Sequence, residues 1–265
     1  MLVELPNNEY HLLHKIEKIN IFPIIASVVY LKQDGKIFVD NVQNPKVFFI
    51  IHKSSFSYLH NPNDTLNYDE FWDFFATNIN VPQYIHIYDA SSSLINSIQK
   101  RTGFNTRTRA RMRMKGIPNF ENLKNTANKQ HLIKSINKID IKTLDVFKLN
   151  FIKKYWNTID DFLKEGFGWV IFENSNPISI WYTLCVVNHN CETDIFTLPE
   201  YRGKGLASIT GNYILKTCLE RGVNMDWDVF TDNIPSIRIG EKFGYKPYFY
   251  YDLLSVFNIN TDNKL

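Results

Sequence analysis

The order of apolar and polar positions in the first half of the chain predicts strands and helices that alternate. Two β-rich runs, residues 26–31 and 36–39, flank Gln33-Asp34-Gly35, and this arrangement predicts a hairpin. Residues 47–51 are apolar throughout, which is typical of a buried strand. Further elements are predicted as helices at residues 69–78 and 91–101 and as strands at residues 84–88 and 107–113.

The second half of the chain has the pattern of an α/β domain. Its predicted elements are one or two helices in residues 144–163, strands at 168–173, 177–187 and 191–198, a helix from about 204 to 221, a strand at 224–230, a short helix after Asn233 and a last strand at 246–251. Gly222 and Gly244 follow the two later helices, at the position where a left-handed residue commonly ends a helix. The fold class is therefore α/β, with antiparallel hairpins that lead into a strand–helix–strand–helix–strand unit.

A polar segment at residues 119–138 separates the two halves. It is rich in Asn and Lys, and its apolar positions show no strong period apart from a short helix predicted near residues 131–136. Such a composition is typical of a linker. We therefore expect an N-terminal domain at 1–120, a linker at 121–140 and a C-terminal domain at 141–265.

Charge and composition narrow the classes of partner. The net charge of +3 is low for a nucleic-acid binder, which neutralises many phosphates with clustered Lys and Arg. The 3 Cys form no CxxC pair and the 7 His show no metal-binding spacing, so we expect a reducing compartment and no metal. The longest apolar run, residues 21–31, is shorter than a membrane span, and no leader pattern is visible. We expect a soluble, cytoplasmic protein without a nucleic-acid or membrane partner, and its oligomeric state stays open.

Four arginines alternate with other residues in one predicted strand, at Arg107, Arg109, Arg111 and Arg113. Because side chains alternate between the two faces of a strand, the four share one face. One interpretation is a face that is solvated or paired with acidic neighbours, the usual environment of charged residues. The other interpretation is a contact with an acidic substrate, a nucleic acid or another protein.

The turn before the longest helix of the second half carries the strongest chemical signal. A buried strand leads into this turn, which contains Gly203 and Gly205, and the helix begins directly after it. The first N–H groups of a helix lack backbone partners and lie at the positive end of its dipole, so they suit a pyrophosphate. Glycine lets phosphate oxygens approach these amides, and Arg202 and Lys204 would add positive charge. A glycine pair before a helix is also common where it only shapes a loop, so the surrounding sequence has to decide between a phosphate site and a plain turn.

That context resembles the signature of the GNAT superfamily of N-acetyltransferases. The spacing is neither that of a dinucleotide fold nor that of a P-loop. Arg202, Gly205 and Ala207 fit the family pattern Arg/Gln-x-x-Gly-x-Gly/Ala, and residues 233–245 are similar to a second motif, Asn-x-x-Ala/Ser followed by Glu-Lys-x-Gly-Phe/Tyr. The resemblance covers about residues 140–251. Within the superfamily the chain is most similar to the branch that includes the zwittermicin-resistance acetyltransferase.

The resemblance implies a GNAT-like mixed sheet with helices on both faces, acetyl-CoA as the cofactor and an amine of a small molecule as the acceptor. The first half repeats nearly the same order of elements, so we expect a degenerate GNAT-like N-terminal domain. Its counterpart of the phosphate loop, between residues 52 and 68, has no glycine and should bind no CoA. Helix capping is an alternative role for Asn233. The residues implied in cofactor binding are Thr197, Leu198, Arg202, Gly203, Lys204, Gly205, Leu206, Ala207, Ser208, Asn233 and Ser236.

The resemblance also implies that a neutral amine attacks the thioester directly. A backbone N–H near Leu198 would polarise the thioester carbonyl. Glu192 and Asp194 are the candidates for the base, because alternation places both on one face of the strand that leads to the cofactor; a solvated strand face is the alternative explanation. Asp226 and Asp228 form a second same-face pair, which would bind a cationic amine or else hydrogen-bond to turns.

One position departs from the family pattern. Many members place a Tyr before the Glu-Lys-x-Gly segment to protonate the departing thiolate, and here that position is Gly240. Either a late tyrosine (Tyr245, Tyr248, Tyr250 or Tyr251) replaces it, or water protonates a thiolate whose pKa is near that of a free Cys. Two other functions therefore stay open, a non-catalytic CoA-binding sensor and a protein or peptide N-acetyltransferase.

Overall fold

The computed structural model describes residues 2–99, 101, 103–116 and 131–257. The strands are β1 Val3–Glu4, β2 Gly35–Val39, β3 Phe48–His52, β4 Phe56–His60, β5 Tyr84–Tyr88, β6 Phe104–Met114, β7 His131–Ser135, β8 Gly168–Glu173, β9 Asn176–Val187, β10 Asn190–Thr197, β11 Asn224–Met225, β12 Trp227–Phe230 and β13 Tyr245–Phe257. The α-helices are α1 Pro23–Val29, α2 Tyr68–Thr77, α3 Ser92–Ile98, α4 Phe151–Tyr155, α5 Ile159–Glu165, α6 Leu206–Arg221 and α7 Ile234–Lys242. Short 3₁₀ helices lie at Asn7–Leu13, Glu17–Ile21, Ile136–Lys138, Ile141–Phe147 and Pro199–Tyr201. No helix in the described part of the chain combines the length and the apolar composition needed to cross a bilayer.

The chain divides into two compact units. The first consists of Met1–Ala110 and Phe249–Leu265, and the second consists of Arg111–Tyr248. The boundaries fall within β6 and β13, so these two strands continue from one unit into the other. A linear division into 1–120 and 141–265 assigns the last strand to the second half, whereas by contacts most of that strand belongs to the first unit.

The first unit contains a mixed sheet with the strand order β1-β2-β3-β4-β5-β13-β6. β2 pairs antiparallel with β3, β3 pairs antiparallel with β4, and β4 pairs in parallel with β5 across the α2 connection. The apolar face of α2 covers this sheet through Phe71 and the fully buried Trp72, and α3 adds Leu94 and Ile98. β4 lies in the segment that the sequence analysis left without an element.

Helix α1 forms where a strand was predicted at residues 26–31, so the hairpin prediction at Gln33-Asp34-Gly35 is also wrong. α1 begins with Pro23, whose fixed φ suits the first turn of a helix. All 7 of its residues are buried, so their apolar pattern has no period that separates a helix from a strand. Gly35 instead begins β2, where an added Cβ would lie only 2.5 Å from Ile51 O.

His52 at the end of β3 is buried in a polar network. Ser54 N–H donates to His52 Nδ1 at 3.0 Å, so the proton of the neutral ring is on Nε2, which lies 3.1 Å from Gln33 Oε1. Ser27 Oγ donates to the same Gln33 oxygen at 2.9 Å. Burial, with a smaller contribution from the charge of Lys53, lowers the pKa of His52 to about 3. The ring therefore stays neutral in the folded chain at pH values where an unfolded histidine gains a proton.

We expect the stability of the protein to fall as the pH drops below the ordinary histidine pKa. An unfolded histidine binds a proton near pH 6.5, whereas folded His52 does so only at a pKa of about 3, so acidification across this window favours the unfolded state. Between about pH 7.5 and 5.5, the free energy of unfolding should drop by about 1 kcal/mol more in the wild type than in His52→Gln. Urea unfolding at both pH values measures this difference, and parallel pH profiles of the two proteins would contradict it.

The second unit contains a five-stranded sheet with the order β11-β10-β9-β8-β7. β7 to β10 pair antiparallel, and β10 pairs in parallel with β11. β12 belongs to the eight-stranded sheet, where it follows β6 in the order β13-β6-β12. One face of the five-stranded sheet packs on α6 through Ile171 and Leu206, and the other face meets α4, where the rings of Phe151 and Tyr182 lie 4.2 Å apart. Helices therefore cover both faces, as expected from the sequence.

The polar segment between the halves ends in a strand. Of the predicted linker, residues 119–130 lie outside the described residues. His131–Ser135 forms β7 and pairs antiparallel with β8. The helix predicted near residues 131–136 is therefore wrong, because Ile133 packs on the apolar cluster around Ile171 while its neighbours in β7 point away.

Candidate functional site

β10 and β11 separate shortly after they begin to pair. They pair in parallel only through Asn190 and Cys191 of β10. The chain then continues from β11 into β12, which lies beside β6 in the eight-stranded sheet. Among the described residues, the edge of β10 that faces away from β9 has no strand partner between Glu192 and Thr197. The divergence leaves an open strand edge of the kind that an extended ligand pairs with.

The hydrogen-bond pattern of β10 shows which amides face this open edge. Leu198 N–H donates to Ile178 O at 3.0 Å, so it is directed at β9. Because N–H groups alternate in an antiparallel ladder, those of Ile195 and Thr197 are directed at the open edge. The N–H of Leu198 itself is already used, so the expected polarising donor near Leu198 stays a prediction for the neighbouring amides. Ile195 and Thr197 supply the edge donors.

A loop with two left-handed glycines joins β10 to α6. Gly203 has φ +76° and Gly205 has φ +77°, a region that costs other residues about 1–2 kcal/mol. A Cβ added at either position would meet no atom within 4 Å, so packing does not explain the glycines. Arg202 Nε donates to Thr197 O at 3.1 Å and holds the loop against the end of β10. The two glycines therefore allow the left-handed backbone of the loop, and they leave its N–H groups uncovered.

The N-terminus of α6 has the character of an anion site. No side chain caps it, and its first turn contains no acidic residue. Within the part of the chain that the structure describes, the N–H groups of residues 203–207 donate to no backbone acceptor, whereas Ser208 N–H donates to Gly205 O at 3.0 Å. The helix is 16 residues long, so its dipole adds positive charge at this end, beside the exposed Arg202 and Lys204. These features fit a pyrophosphate.

The corresponding helix of the first unit has the opposite character. α2 also connects two parallel strands, but Asn67 caps it and accepts the N–H groups of Asp69 at 3.1 Å and Glu70 at 3.3 Å. Asp69 and Glu70 also place two negative charges in its first turn, where they are favoured by the helix dipole and repel an anion. This arrangement gives a physical basis for the prediction that the first half binds no CoA.

Asp194 lies on the face of β10 that α4 covers. Its register partner on β9 is Tyr182, whose Oη donates to Asp194 Oδ2 at 2.9 Å. Asp194 Oδ1 accepts the N–H of Ile195 at 2.8 Å. Burial and the charge of Asp194 raise the pKa of Tyr182 well above its usual value, so its hydroxyl stays a donor. The sequence analysis missed Tyr182, because only the strand register shows which side chain faces Asp194.

Glu192 lies two residues before Asp194 on the same face, but it is buried. Its side chain is 5% exposed and lies opposite Cys185 in the register. Burial is the main cause of the raised pKa of the Cys185 thiol, on which the charges of Glu192 and Arg111 also act. The alternative explanation, a solvated strand face, is therefore wrong for Glu192. Since a base must reach an amine that enters from solvent, the geometry favours the partly exposed Asp194 of the two candidates.

Asp226 and Asp228 are paired with arginines of β6. Arg111 Nη1 lies 2.9 Å from Asp228 Oδ2, with the two side chains 2% and 4% exposed. Arg113 Nη2 lies 3.0 Å from Asp226 Oδ2. A cationic amine would have to displace these guanidinium groups, so the predicted second acceptor site is corrected to a structural charge cluster. For Arg111 and Arg113, pairing with acidic neighbours is the interpretation that the contacts support.

Asn233 and Ser236 form the N-terminal cap of α7. Asn233 Oδ1 accepts Ser236 N–H at 3.3 Å, and Ser236 Oγ accepts the Trp227 Nε1–H at 3.3 Å. These contacts give both residues a structural role in joining α7 to β12. A contact of either residue with a cofactor stays a prediction.

The Trp227 indole lies against Gly240, the position where the sequence resemblance would place a tyrosine. A Cβ at Gly240 would meet the Trp227 indole at 3.4 Å, so a larger side chain there would press on that ring. Among the late tyrosines, Tyr245 Oη donates to a backbone carbonyl at 2.8 Å, and burial raises its pKa well above normal, which makes it a poor acid. Tyr248 is 58% exposed. Tyr250 and Tyr251 belong to the first compact unit.

A protein-family model matches most of the chain. The family is described as GNAT acetyltransferase, and the match covers residues 11–254. The chain belongs to the GNAT acetyltransferase family. GNAT acetyltransferases use acetyl-CoA as cosubstrate, and the uncovered amides and positive charge at the start of α6 in this GNAT chain fit the pyrophosphate of that molecule.

Individual relatives of this GNAT chain cover its length in different ways. YdfB, an uncharacterized N-acetyltransferase of Bacillus subtilis, is 31% identical over 115 residues, so the match spans 43% of this chain and only 44% of the relative. A GCN5-related N-acetyltransferase-like protein from Streptococcus suis has a TM-score of 0.74 at 20% identity and covers 94% of this chain and 98% of its own. A tandem GNAT protein from the clavulanic acid biosynthesis pathway has a TM-score of 0.62 at 10% identity, with 99% of both chains covered. The structural matches show a shared GNAT fold, and the tandem protein fits a two-domain arrangement.

Proposed function

We propose that this GNAT chain is an N-acetyltransferase that moves the acetyl group of acetyl-CoA to an amine of a small molecule by direct attack. The observation that carries the proposal is the open edge of β10, which leads to the uncovered amides of residues 203–207. A strand edge followed by an anion site suits a ligand with an extended arm and a pyrophosphate. Both features lie in the unit Arg111–Tyr248.

The donor side of the proposed site consists mainly of backbone amides. Acetyl-CoA supplies an acetyl group that is activated as a thioester. The loop amides and the charges of Arg202 and Lys204 hold the pyrophosphate. Thr197 N–H is directed at the open edge and suits an amide of the arm. Ile195 N–H, further from the loop, is the edge donor for a thioester carbonyl, where it would stabilise developing negative charge.

The acceptor side depends on Asp194. Its carboxylate is partly exposed, is oriented by Tyr182 Oη, and lies next to the edge donor Ile195. As the amine nitrogen bonds to the acetyl carbon, its proton passes to Asp194, directly or through water. Water protonates the departing thiolate, because Gly240 has no side chain and the thiol is acidic enough to leave without a donor.

The choice of a small-molecule acceptor rests on the similarity of residues 197–207 and 226–228 to the branch that includes the zwittermicin-resistance acetyltransferase. A second candidate function is a CoA-binding sensor without turnover. It is favoured by the missing tyrosine at Gly240, where the Trp227 ring packs instead.

Release of CoA thiol from acetyl-CoA across a panel of amines separates the two candidates. The panel should contain amino sugars, polyamines, amino acids and peptides with free N-termini, with a reaction lacking amine as the control for hydrolysis. We expect amine-dependent release with at least one small-molecule class. Binding of acetyl-CoA without amine-dependent release would favour the sensor, and release only with peptides would contradict the small-molecule acceptor.

A further inference from the structure

The hydrogen bonds of Asp194 link the proposed base to the donor side of the site. Asp194 Oδ1 accepts Ile195 N–H at 2.8 Å. This N–H is directed at the open edge, because the alternating amide of Leu198 is directed at β9. A carboxylate oxygen therefore occupies the backbone donor that a carbonyl bound along this edge would use.

The position of Ile195 along the edge, rather than that of Thr197, matches the expected place of the thioester carbonyl. The arm of the donor runs from the pyrophosphate at the loop toward the thioester, so its far end meets the more distant edge amide. Ile195 lies two residues, about 6–7 Å, further from α6 than Thr197. At the near end, Thr197 O already accepts Arg202 Nε–H at 3.1 Å, which fixes the junction of the strand and the loop.

We propose that the thioester carbonyl displaces Asp194 from the Ile195 N–H, so that binding of the acyl donor makes Asp194 a stronger base. This inference rests on the proposed function. A hydrogen bond to a carboxylate stabilises its charged form, and loss of that donor raises the proton affinity of the carboxyl. The base is therefore strongest in the complex that holds an acyl group.

Tyr182 keeps the carboxylate in place when the exchange occurs. Its Oη donates to Asp194 Oδ2 at 2.9 Å, and Tyr182 is 1% exposed, with its ring tilted against that of Phe151 at a centroid distance of 4.2 Å. Displacement from Ile195 therefore removes that donor from Oδ1 while Oδ2 keeps the Tyr182 hydroxyl. Oδ1 is the atom that accepts the proton of the attacking amine, while the thiolate that leaves takes its proton from water.

The titratable groups that face Asp194 come from three elements. Tyr182 of β9 contacts Asp194 directly, and Tyr155 of α4 lies near Tyr182, whose pKa is raised first by burial and further by the charges of Asp194 and Tyr155. Glu192 lies two residues earlier on the same face of β10, near Arg111. Phenols ordinarily titrate near pH 10, so proton exchange below neutral pH comes from a carboxyl. A Glu192→Gln variant separates the two carboxyls.

Calorimetric titration in buffers of different ionisation enthalpy tests the exchange, because it counts the protons taken up on binding. The full chain is titrated with acetyl-CoA and with S-propyl-CoA, a thioether that lacks the thioester carbonyl. Below neutral pH, the protein should take up more protons when it binds acetyl-CoA than when it binds S-propyl-CoA, by up to one per site. Asp194→Asn should remove this difference and Glu192→Gln should keep it. Tyr182→Phe should keep the difference and move its midpoint to higher pH, because the carboxylate has lost another donor.

Each alternative outcome overturns the proposed exchange in a distinct way. Equal proton uptake for the two ligands, with both bound, contradicts the exchange and leaves the proposed acetyl transfer standing. Loss of the difference in Glu192→Gln assigns the proton to Glu192 instead of Asp194. A failure of the wild type to bind acetyl-CoA contradicts the proposed function and the exchange together.

Discussion

Gly205→Val should lower the affinity for acetyl-CoA by about 100-fold or more. Gly205 has φ +77°, so a β-branched residue would move the loop out of its left-handed conformation. The amides of the loop would then no longer converge on the pyrophosphate. The loss of two hydrogen bonds to a charged group, each worth about 1.5–3 kcal/mol, accounts for a change of this size. Isothermal titration calorimetry with the full chain measures it.

Gly222→Val is the matched control for this variant. Gly222 ends α6 with φ +62°, and a Cβ added there meets no atom within 4 Å, as at Gly205. The two positions lie at opposite ends of a 16-residue helix, about 24 Å apart. Both variants should lose similar thermal stability, but only Gly205→Val should lose acetyl-CoA. Unchanged affinity in Gly205→Val, or an equal loss in both, would contradict the assignment of the loop.

Asp194→Asn should lower turnover by about 10²–10⁴-fold, the usual contribution of a general base. Its affinity for acetyl-CoA should not fall, because the loop amides are unchanged and an amide oxygen competes less strongly than a carboxylate for the Ile195 N–H. The loss should shrink as the pH rises, since an amine that is already neutral needs less help from a base. Initial rates of CoA release against pH, with any accepted amine, give both results.

Glu192→Gln is the control for Asp194→Asn, because it removes a charge two residues away on the same strand face. Glu192 is 5% exposed, whereas Asp194 is partly exposed beside the open edge. We expect Glu192→Gln to change stability more than turnover. A large loss of turnover confined to Glu192→Gln would move the base to Glu192, and unchanged turnover in both variants would move it to water.

Much of the second half could be predicted from the sequence because its signals are local. The strand before the loop, the glycines at 203 and 205, and the helix that ends at Gly222 all follow from short-range patterns, and they appear as β10, the loop and α6. Helix α1 could not be predicted, because it is buried on all sides and its pattern has no period. β7 was missed because its pairing with β8 depends on residues about 40 positions away.

The candidate site divides in the same way between local and distant signals. The candidate anion site is local, so the motif alone predicts its residues. The partners of the acidic residues are distant: Tyr182 faces Asp194 only through the register of β9 and β10, and Arg111 reaches Asp228 from a strand more than 100 residues earlier. Alternation shows which side chains share a strand face, but not what lies opposite them.

The stoichiometry of acetyl-CoA binding tests the central claim, a single donor site at the start of α6, most directly. Calorimetric titration of acetyl-CoA into the full chain gives the number of sites. We predict one site per chain, because the corresponding helix α2 is capped by Asn67 and carries Asp69 and Glu70 in its first turn. Two equivalent sites per chain, or no saturable binding, would contradict it.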